Sequence, residues 1–423
     1  MIINASIYNS HWSEKTLSDL GTFKRGKSKH RPRNDPILFS NGKYPLVQTG
    51  EVKSANLFIN QHSATYNDFG LKQSQLWPKD TLCITIAANI AETALLNYPM
   101  CFPDSVVGFN AFPDASSELF MHYVFTYIRK SIQSSASGSI QDNINIDYLT
   151  SLKFKVPPKP YQDKITAVLA NLDKKIELSN RINAELEAMA KTLYDYWFVQ
   201  FDFPDTNGKP YKTSGGKMVY NPTLKREIPE GWSVKTIQSI EQNIVTGKTP
   251  SKEHNHYFDG SVPFITIGDI RGNTYIVSTE ETLSIEGANT QKNKFLPEDT
   301  ICVSCIASPG LVGFVTQPSQ TNQQINSVIC LNSINRYFLY FAINAFFTGS
   351  KAKTGNTFAN MNKEDFSNIN LLYPELMLLA KFHDLVDSMF SNIKTRSLEN
   401  QELKNLRDWL LPMLMNGQVT VKG

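Results

Sequence analysis

"ITAVLANLDKKIELSNRINAELEAMAKTLYDYW", Ile165 to Trp197, decides the fold. Its spacing alternates four and three: Ile165, Leu169, Leu172, Ile176, Ser179, Asn183, Leu186, Ala190, Leu193, Trp197. A seam of that period over four or more heptads predicts a coiled-coil helix. Some 35 helical residues would reach about 50 Å at 1.5 Å each. A second stretch, "FHDLVDSMFSNIKTRSLENQELKNLRDWLLPML", repeats the pattern at Phe382, Val386, Met389, Ile393, Arg396, Asn400, Leu403, Arg407, Leu410 and Leu414. Both seams turn polar at the same depth, at Ser179 and Asn183 and at Arg396 and Asn400. A polar layer costs stability and fixes register. The two helices are expected to pair antiparallel about a pseudo-twofold axis. Pro412, without a counterpart in the first helix, is expected to bend or stop the second.

Working outward, the whole chain is written twice. Trp12-Ser-Glu-Lys-Thr-Leu17 is echoed by Trp232-Ser-Val-Lys-Thr-Ile237, and Gly26-Lys27 by Gly247-Lys248. Pro45 to Val52 matches Pro263 to Ile270, and Trp77 to Cys83 matches Leu296 to Cys302. From Gly138 and Gly355 onward the offset is a constant 217, through Asn145 and Asn362, Pro157 and Pro374, and Leu186 and Leu403. Drifting offsets before that point imply loop insertions. The constant offset implies an element that tolerates none. Ahead of each long helix the chain is rich in short β-like runs such as TLCITIAA and TICVSCIA, with helical patches at 118–130 and 336–347. The fold class is therefore α+β: two mixed α/β domains in an internal tandem repeat, separated by two long helices forming an antiparallel coiled coil.

Composition narrows the function. The chain has 42 Lys and Arg against 39 Asp and Glu, so the total charge of +3 says little about partners. Its distribution says more: Lys24 to Arg33, KRGKSKHRPR, packs six Lys or Arg and no acid. Such a run fits a phosphate-contacting arm. Cys83, Cys101, Cys302, Cys305 and Cys330 are an odd, sparse set that suggests free thiols in a reducing cytoplasm. Cys302-Val-Ser-Cys305 lacks the second ligand pair that zinc needs and reads as buried strand. No window is long and apolar enough to span a membrane, and the first residues do not read as a secretory signal.

"GTFKRGKS", Gly21 to Ser28, fits the phosphate-loop pattern and raises a P-loop NTPase centred on Lys27. Its second copy, ending Gly247-Lys248-Thr249-Pro250, loses the first glycine, so a basic glycine turn used twice is the simpler reading. A protein-only coiled-coil adaptor is the other alternative. Twin modules on rigid rods suit duplex DNA, where two-fold-related elements meet equivalent grooves about 34 Å apart. Lys24, Arg25, Lys27, Lys29, Arg31 and Arg33 are candidate contacts to phosphates or guanine edges in the first module. Lys248, Lys252, His254, His256 and Arg271 are weaker partners in the second, with Asn322 and Gln323 as amides able to read adenine.

The duplicated Gly-Lys-Ser/Thr opening, Gly138-Ser-Ile-Gln-Asp-Asn143, and Pro157-Pro-Lys-Pro-Tyr-Gln-Asp-Lys-Ile165 stand in a definite order. Asn183-Ala-Glu-Leu-Glu187, Trp197-Phe-Val-Gln-Phe-Asp-Phe-Pro204 and Leu406-Arg-Asp-Trp-Leu-Leu-Pro-Met-Leu-Met-Asn-Gly417 follow. In this order the chain resembles the DNA-specificity subunits of type I restriction–modification systems over nearly its whole length. The resemblance implies target-recognition domains at 1–157 and 232–374, a central helix at 158–200, a linker at 201–231, a distal helix at 375–415 and a tail at 416–423. It implies that each domain reads half of a split, asymmetric site while the helices set the gap and dock two methyltransferase subunits. Translocase and nuclease subunits would join them. Catalysis, with S-adenosylmethionine, ATP and Mg, would belong to those partners, and no cofactor to this chain. The chain itself holds no [ND]-P-P-[YF] methylation motif and no Gly-rich methyl-donor loop, and Pro204-Asp205 lacks the downstream acid and lysine of a nuclease.

Overall fold

The computed structural model describes residues 4–137, 144, 146–354 and 360–422; the Gly138–Asn143 motif, Asn145 and Gly355 lie outside the described residues. The chain forms two compact units, residues 1–177 with 402–423, and residues 178–401.

Each unit is built on a five-stranded sheet. In unit 1 the strands are β1 (Gly21–Arg25), β2 (Phe58–Ile59), β3 (Leu82–Thr85), β4 (Thr93–Leu96) and β5 (Val106–Ala111), in the order β1-β5-β3-β4-β2. In unit 2 they are β6 (Asn243–Thr246), β7 (Tyr275–Ile276), β8 (Ile301–Ser304), β9 (Val312–Val315) and β10 (Ile325–Ile329), in the order β6-β10-β8-β9-β7. The two orders are the same. In both, the last pairing is parallel and the others antiparallel. The backbone repeats even at its left-handed residues: Asp80 and Asp299 both have φ of 65°, and Ala88 and Ala307 both 62°.

The period-two rule of a strand explains how both faces are filled. Leu82 and Ile84 of β3 join the cluster that holds Phe120, Val124 and Ile165, while Cys83 joins Trp77 and Phe102 on the other face. Ile301 and Val303 of β8 likewise pack with Phe338 and Phe382, and Cys302 with Ile265 and Ile270. Cys302 and Cys305 thus belong to different clusters and do not form a ligand pair. All five cysteines are free, and burial pushes the Cys101 and Cys305 thiols up to about 11 and Cys302 to about 12. Among the described residues no metal-binding group of His, Cys, Asp and Glu occurs, and no helix is long and apolar enough to cross a membrane.

Four longer helices complete the units: α1 (Glu118–Ser137), α2 (Lys159–Tyr194), α3 (Arg336–Thr354) and α4 (Leu376–Met415). α1 lies on the sheet of unit 1 and α3 packs on that of unit 2. α2 starts where Pro157-Pro158 ends the last strand, and Pro160 sits in its first turn, where its missing N–H costs nothing. Gln162, buried, donates to the Ala115 and Pro157 carbonyls and accepts from Ser116 Oγ, fixing that start. α2 and α4 pack antiparallel. In unit 2, Asn183 Nδ2 donates to Ser397 Oγ (3.3 Å) and Asn400 Nδ2 to Asn180 Oδ1 (2.8 Å), two contacts that the 217-residue offset turns into each other. In unit 1, Arg407 Nη1 meets Asp173 Oδ1 at 2.7 Å. The seam positions Ile165, Leu169, Ile176, Phe382, Val386 and Ile393 are buried, and Leu172, Leu186, Leu193, Met389, Leu403 and Leu410 half-buried.

One expectation is refined and one changes. α4 runs through Pro412 and ends just beyond it, at Met415. So close to the end, the missing proline N–H orphans one carbonyl at most. The helix stops instead at Gly417, whose φ of 78° is open to glycine and which donates to Leu414 O. The stretch 201–231, read from sequence as a linker, packs Phe201, Phe203 and Ile228 into the core of unit 2 and forms a hairpin from Met218–Asn221 and Arg226–Pro229.

Candidate nucleic-acid interface

Both Gly-Lys turns leave the first strand of their sheet in the same way. Gly26 N–H donates to Val106 O (2.8 Å) and Gly247 N–H to Ile325 O (3.2 Å). A Cβ on Gly26 would lie 2.3 Å from the carbonyl oxygens of Phe102 and Pro103, and one on Gly247 2.2 Å from that of Asn322. The glycine is there for close backbone approach. β1 leads into no helix, and the next regular element is the single turn Pro36–Leu38. That removes the structural basis of a P-loop, which must open a helix. Lys27 belongs to a turn beside a strand end.

In unit 1 the basic run is exposed at Lys24, Arg25, Lys27, Lys29, Arg31 and Arg33. The loop is held by Gln73, whose Oε1 accepts from the backbone N–H groups of Lys29 (2.6 Å) and His30 (3.1 Å). His30 Nε2 lies 2.8 Å from Asp35 Oδ2, and that hydrogen bond holds the Asp35 carboxyl below its ordinary range. Arg31 turns back on the loop, donating to the carbonyls of Ser28 and His30. Arg33 Nη2 donates to both oxygens of Asp104, at 2.8 and 3.0 Å, and Arg25 Nε donates to the Asp104 carbonyl. Lys24, Lys27 and Lys29 form no ion pair with any described residue and reach into solvent. A cavity of about 290 Å³ opens beside the turn, lined by Arg33, Asn34, Phe39, Gln48 and Tyr66 among others.

In unit 2 the charge is thinner. Lys248 and Lys252 are exposed, and Thr249 Oγ1 donates to Gln323 Oε1 at 2.8 Å. The structure therefore brings Lys248 and Gln323 to one corner. Asn322 is beside them but half-buried, and its amide is spent on Gln324, at 3.0 and 3.2 Å. His254, His256 and Tyr257 form a ring cluster with centroids 4.6 to 5.5 Å apart, and His256 Nε2 lies 3.5 Å from Glu286. Arg271 follows a separate short helix, with Nη2 3.3 Å from Ser308 Oγ. Sequence reasoning missed Asp104 and Gln73, because they meet the basic run from 71 and 44 residues away.

The model of the type I restriction modification DNA specificity domain matches residues 9–188 and again 229–405, once for each copy of the repeat. The chain belongs to that family. It is a DNA-specificity protein, a recognition subunit rather than an enzyme. Among curated relatives of this family, the HindI specificity subunit of Haemophilus influenzae is 30% identical over 97% of this chain and its own full length. The MjaIX specificity subunit of Methanocaldococcus jannaschii is 24% identical, covering 97% of this chain and 94% of its own. The crystal structure of the type I S subunit from M. genitalium shares the fold with a TM-score of 0.57, at 16% identity over 98% of this chain and 99% of that one. Each of this chain's two glycine turns carries an exposed lysine, Lys27 in unit 1 and Lys248 in unit 2.

Proposed function

We propose that each module reads one half of a two-part, asymmetric duplex site, and that the antiparallel pair α2 and α4 sets the gap between the halves. One observation carries this reading: the same strand order and the same glycine turn are built twice, with different side chains on the turns. Equal scaffolds present the turns alike, while unequal chemistry gives the halves unequal sequences. Lys24, Arg25, Lys27, Lys29, Arg31 and Arg33 serve one half, and Lys248, Lys252, His254, His256, Arg271, Asn322 and Gln323 the other. The chain works in the cytoplasm with two methyltransferase subunits and, in a restricting complex, translocase and nuclease subunits. S-adenosylmethionine, ATP and Mg are bound by those partners. Apolar side chains on the outer faces of the rods support docking there: Met189 is 56% exposed and Trp409 57%.

Mapping methylated bases in cells that carry this chain with its partners tests the proposal. A two-part motif with an unspecified gap is expected, and a continuous motif would overturn it. Binding of short duplexes should also weaken steeply as salt rises, because each neutralised phosphate releases counterions. A protein-only adaptor would ignore the duplex at every salt concentration.

A further inference from the structure

The matched hydrogen bonds of Gly26 to Val106 and Gly247 to Ile325 align the two turns residue by residue. Counting back two places from each acceptor brings Asp104 in unit 1 onto Gln323 in unit 2. Both side chains meet the residues that follow the glycine turn. Asp104 takes both its hydrogen bonds from Arg33 Nη2, and Gln323 takes one from Thr249. The duplication has kept a position and changed its chemistry.

We infer that this shared position places the base-reading group of each module: in unit 1 Asp104 holds Arg33, which selects guanine in one half-site, and in unit 2 Gln323 itself selects adenine in the other. This rests on the proposal that the turns face DNA. A carboxylate gripping one corner of a guanidinium fixes its plane. Nε and Nη1 of Arg33 bond no described residue, so either one, paired with the second Nη2 hydrogen, offers a forked edge to the two acceptors, O6 and N7, that guanine shows in the major groove. An exposed Arg–Asp pair adds little stability, so its value here lies in orientation. Gln323 is exposed, and the Thr249 hydroxyl takes one lone pair of its Oε1. The other lone pair and the Nε2 donors match the N6 amino group and N7 of adenine.

Selection from a duplex pool randomised over both half-sites, using the full chain with its methyltransferase partner, tests this. Arg33→Ala and Asp104→Ala should relax the same guanine in one half by about 5- to 150-fold and leave the other half as it was. Gln323→Ala should relax an adenine in that other half. Arg33→Lys keeps the charge and loses the fork, so it should relax the guanine while retaining more of the overall affinity. If Arg33→Ala abolishes binding, Arg33→Lys decides: a relaxed guanine supports the inference and an unchanged site overturns it. An unchanged site in all variants overturns it, and Lys27→Ala and Lys248→Ala then show what remains. A shallower salt dependence in those two leaves the turns on DNA as phosphate contacts. No change there either removes the turns from DNA altogether.

Discussion

Tyr123 in unit 1 and Tyr340 in unit 2 stand 217 residues apart, and each donates a 2.6 Å hydrogen bond to a carboxylate on α2. The carboxylates, Asp173 and Glu187, are not counterparts: Phe390 stands where Asp173 would repeat, and Lys404 where Glu187 would. In unit 1 Asp173 is buried and neutralised by Arg407 of α4. In unit 2 Phe390 packs 4.3 Å from Tyr337 and 5.7 to 5.8 Å from Tyr340, Phe341 and Phe314, ring centre to ring centre. Ala190 sits where Arg407 repeats. One scaffold is thus closed by an ion pair and the other by rings. A duplicated fold keeps its backbone and its volumes, and the chemistry that fills them can diverge.

The sharpest test of the ring-filled unit is Phe198→Ala. Phe198 is buried with ring centres 5.0 Å from Phe382, 5.2 Å from Phe338 and 6.0 Å from Trp232. Its removal should cost unit 2 about 3–5 kcal/mol, read as lost hydrogen-exchange protection along α3. The matching residue in unit 1 is Met415. Met415→Ala should cost unit 1 nearer the low end of the roughly 2–5 kcal/mol range for such a change, because it removes a smaller side chain than Phe198→Ala does. Equal losses would break the contrast.

Arg407→Ala attacks the other unit. It leaves Asp173 buried beside the Tyr123 hydroxyl and should cost about 3 kcal/mol, seen as lost protection in α1. Burial opposes the charge on Arg407, but Asp173 and Asp408 together outweigh that and raise its pKa. Adding Asp173→Phe and Tyr123→Phe copies the Phe390–Ala190 arrangement and removes the stranded hydroxyl. Stability should return to the parent level or above, since an apolar trio of fitting volume escapes the desolvation cost. A triple variant as weak as Arg407→Ala would mean that the two cores differ in shape as well as chemistry.

His122 offers a smaller, pH-dependent difference. Burial lowers its pKa to about 3, helped by Arg129 and Arg407, and Leu339 stands at its place in unit 2. The folded state keeps His122 neutral, while the unfolded chain takes up a proton below about pH 6.5. Its contribution is therefore intact above that pH and is lost as pH falls toward 3. Between pH 6 and 4 the stability of unit 1 should drop by about 1.4 kcal/mol per pH unit more in the parent than in His122→Leu. Parallel curves from urea unfolding at several pH values would remove His122 from the account.

How much of this was legible beforehand follows from the range of each signal. The repeat, the seam and the strands of TLCITIAA and TICVSCIA are local patterns, and local patterns survive in one sequence. The pairing of Asp104 with Arg33 and of Asp173 with Arg407 is not local; the second pair is 234 residues apart. Nothing in KRGKSKHRPR says that Arg31 folds back on its own carbonyls while Lys27 stays open. The end of α4 is set by another local signal. Proline strains a helix interior, but one turn from a glycine exit it does little harm.

The polar layer between α2 and α4 supplies the smallest and most symmetric test. Asn183 and Asn400 are images under the repeat, and each bonds the image of the other's partner. Ser397 also donates to Ile393 O, and Asn180 is exposed, so neither is stranded when the amides go. Changing both amides to Leu should raise stability by about 1 kcal/mol, because a polar residue in a coiled-coil seam trades stability for register. The melting temperature should rise, and spin labels at Glu185 and Thr395 within unit 2 should show a broader distance distribution. Asn400 is the more buried of the two, so Asn400→Leu alone should give more than half of the gain. A lower or unchanged melting temperature in the double variant would mean that the amides hold the rods together rather than align them.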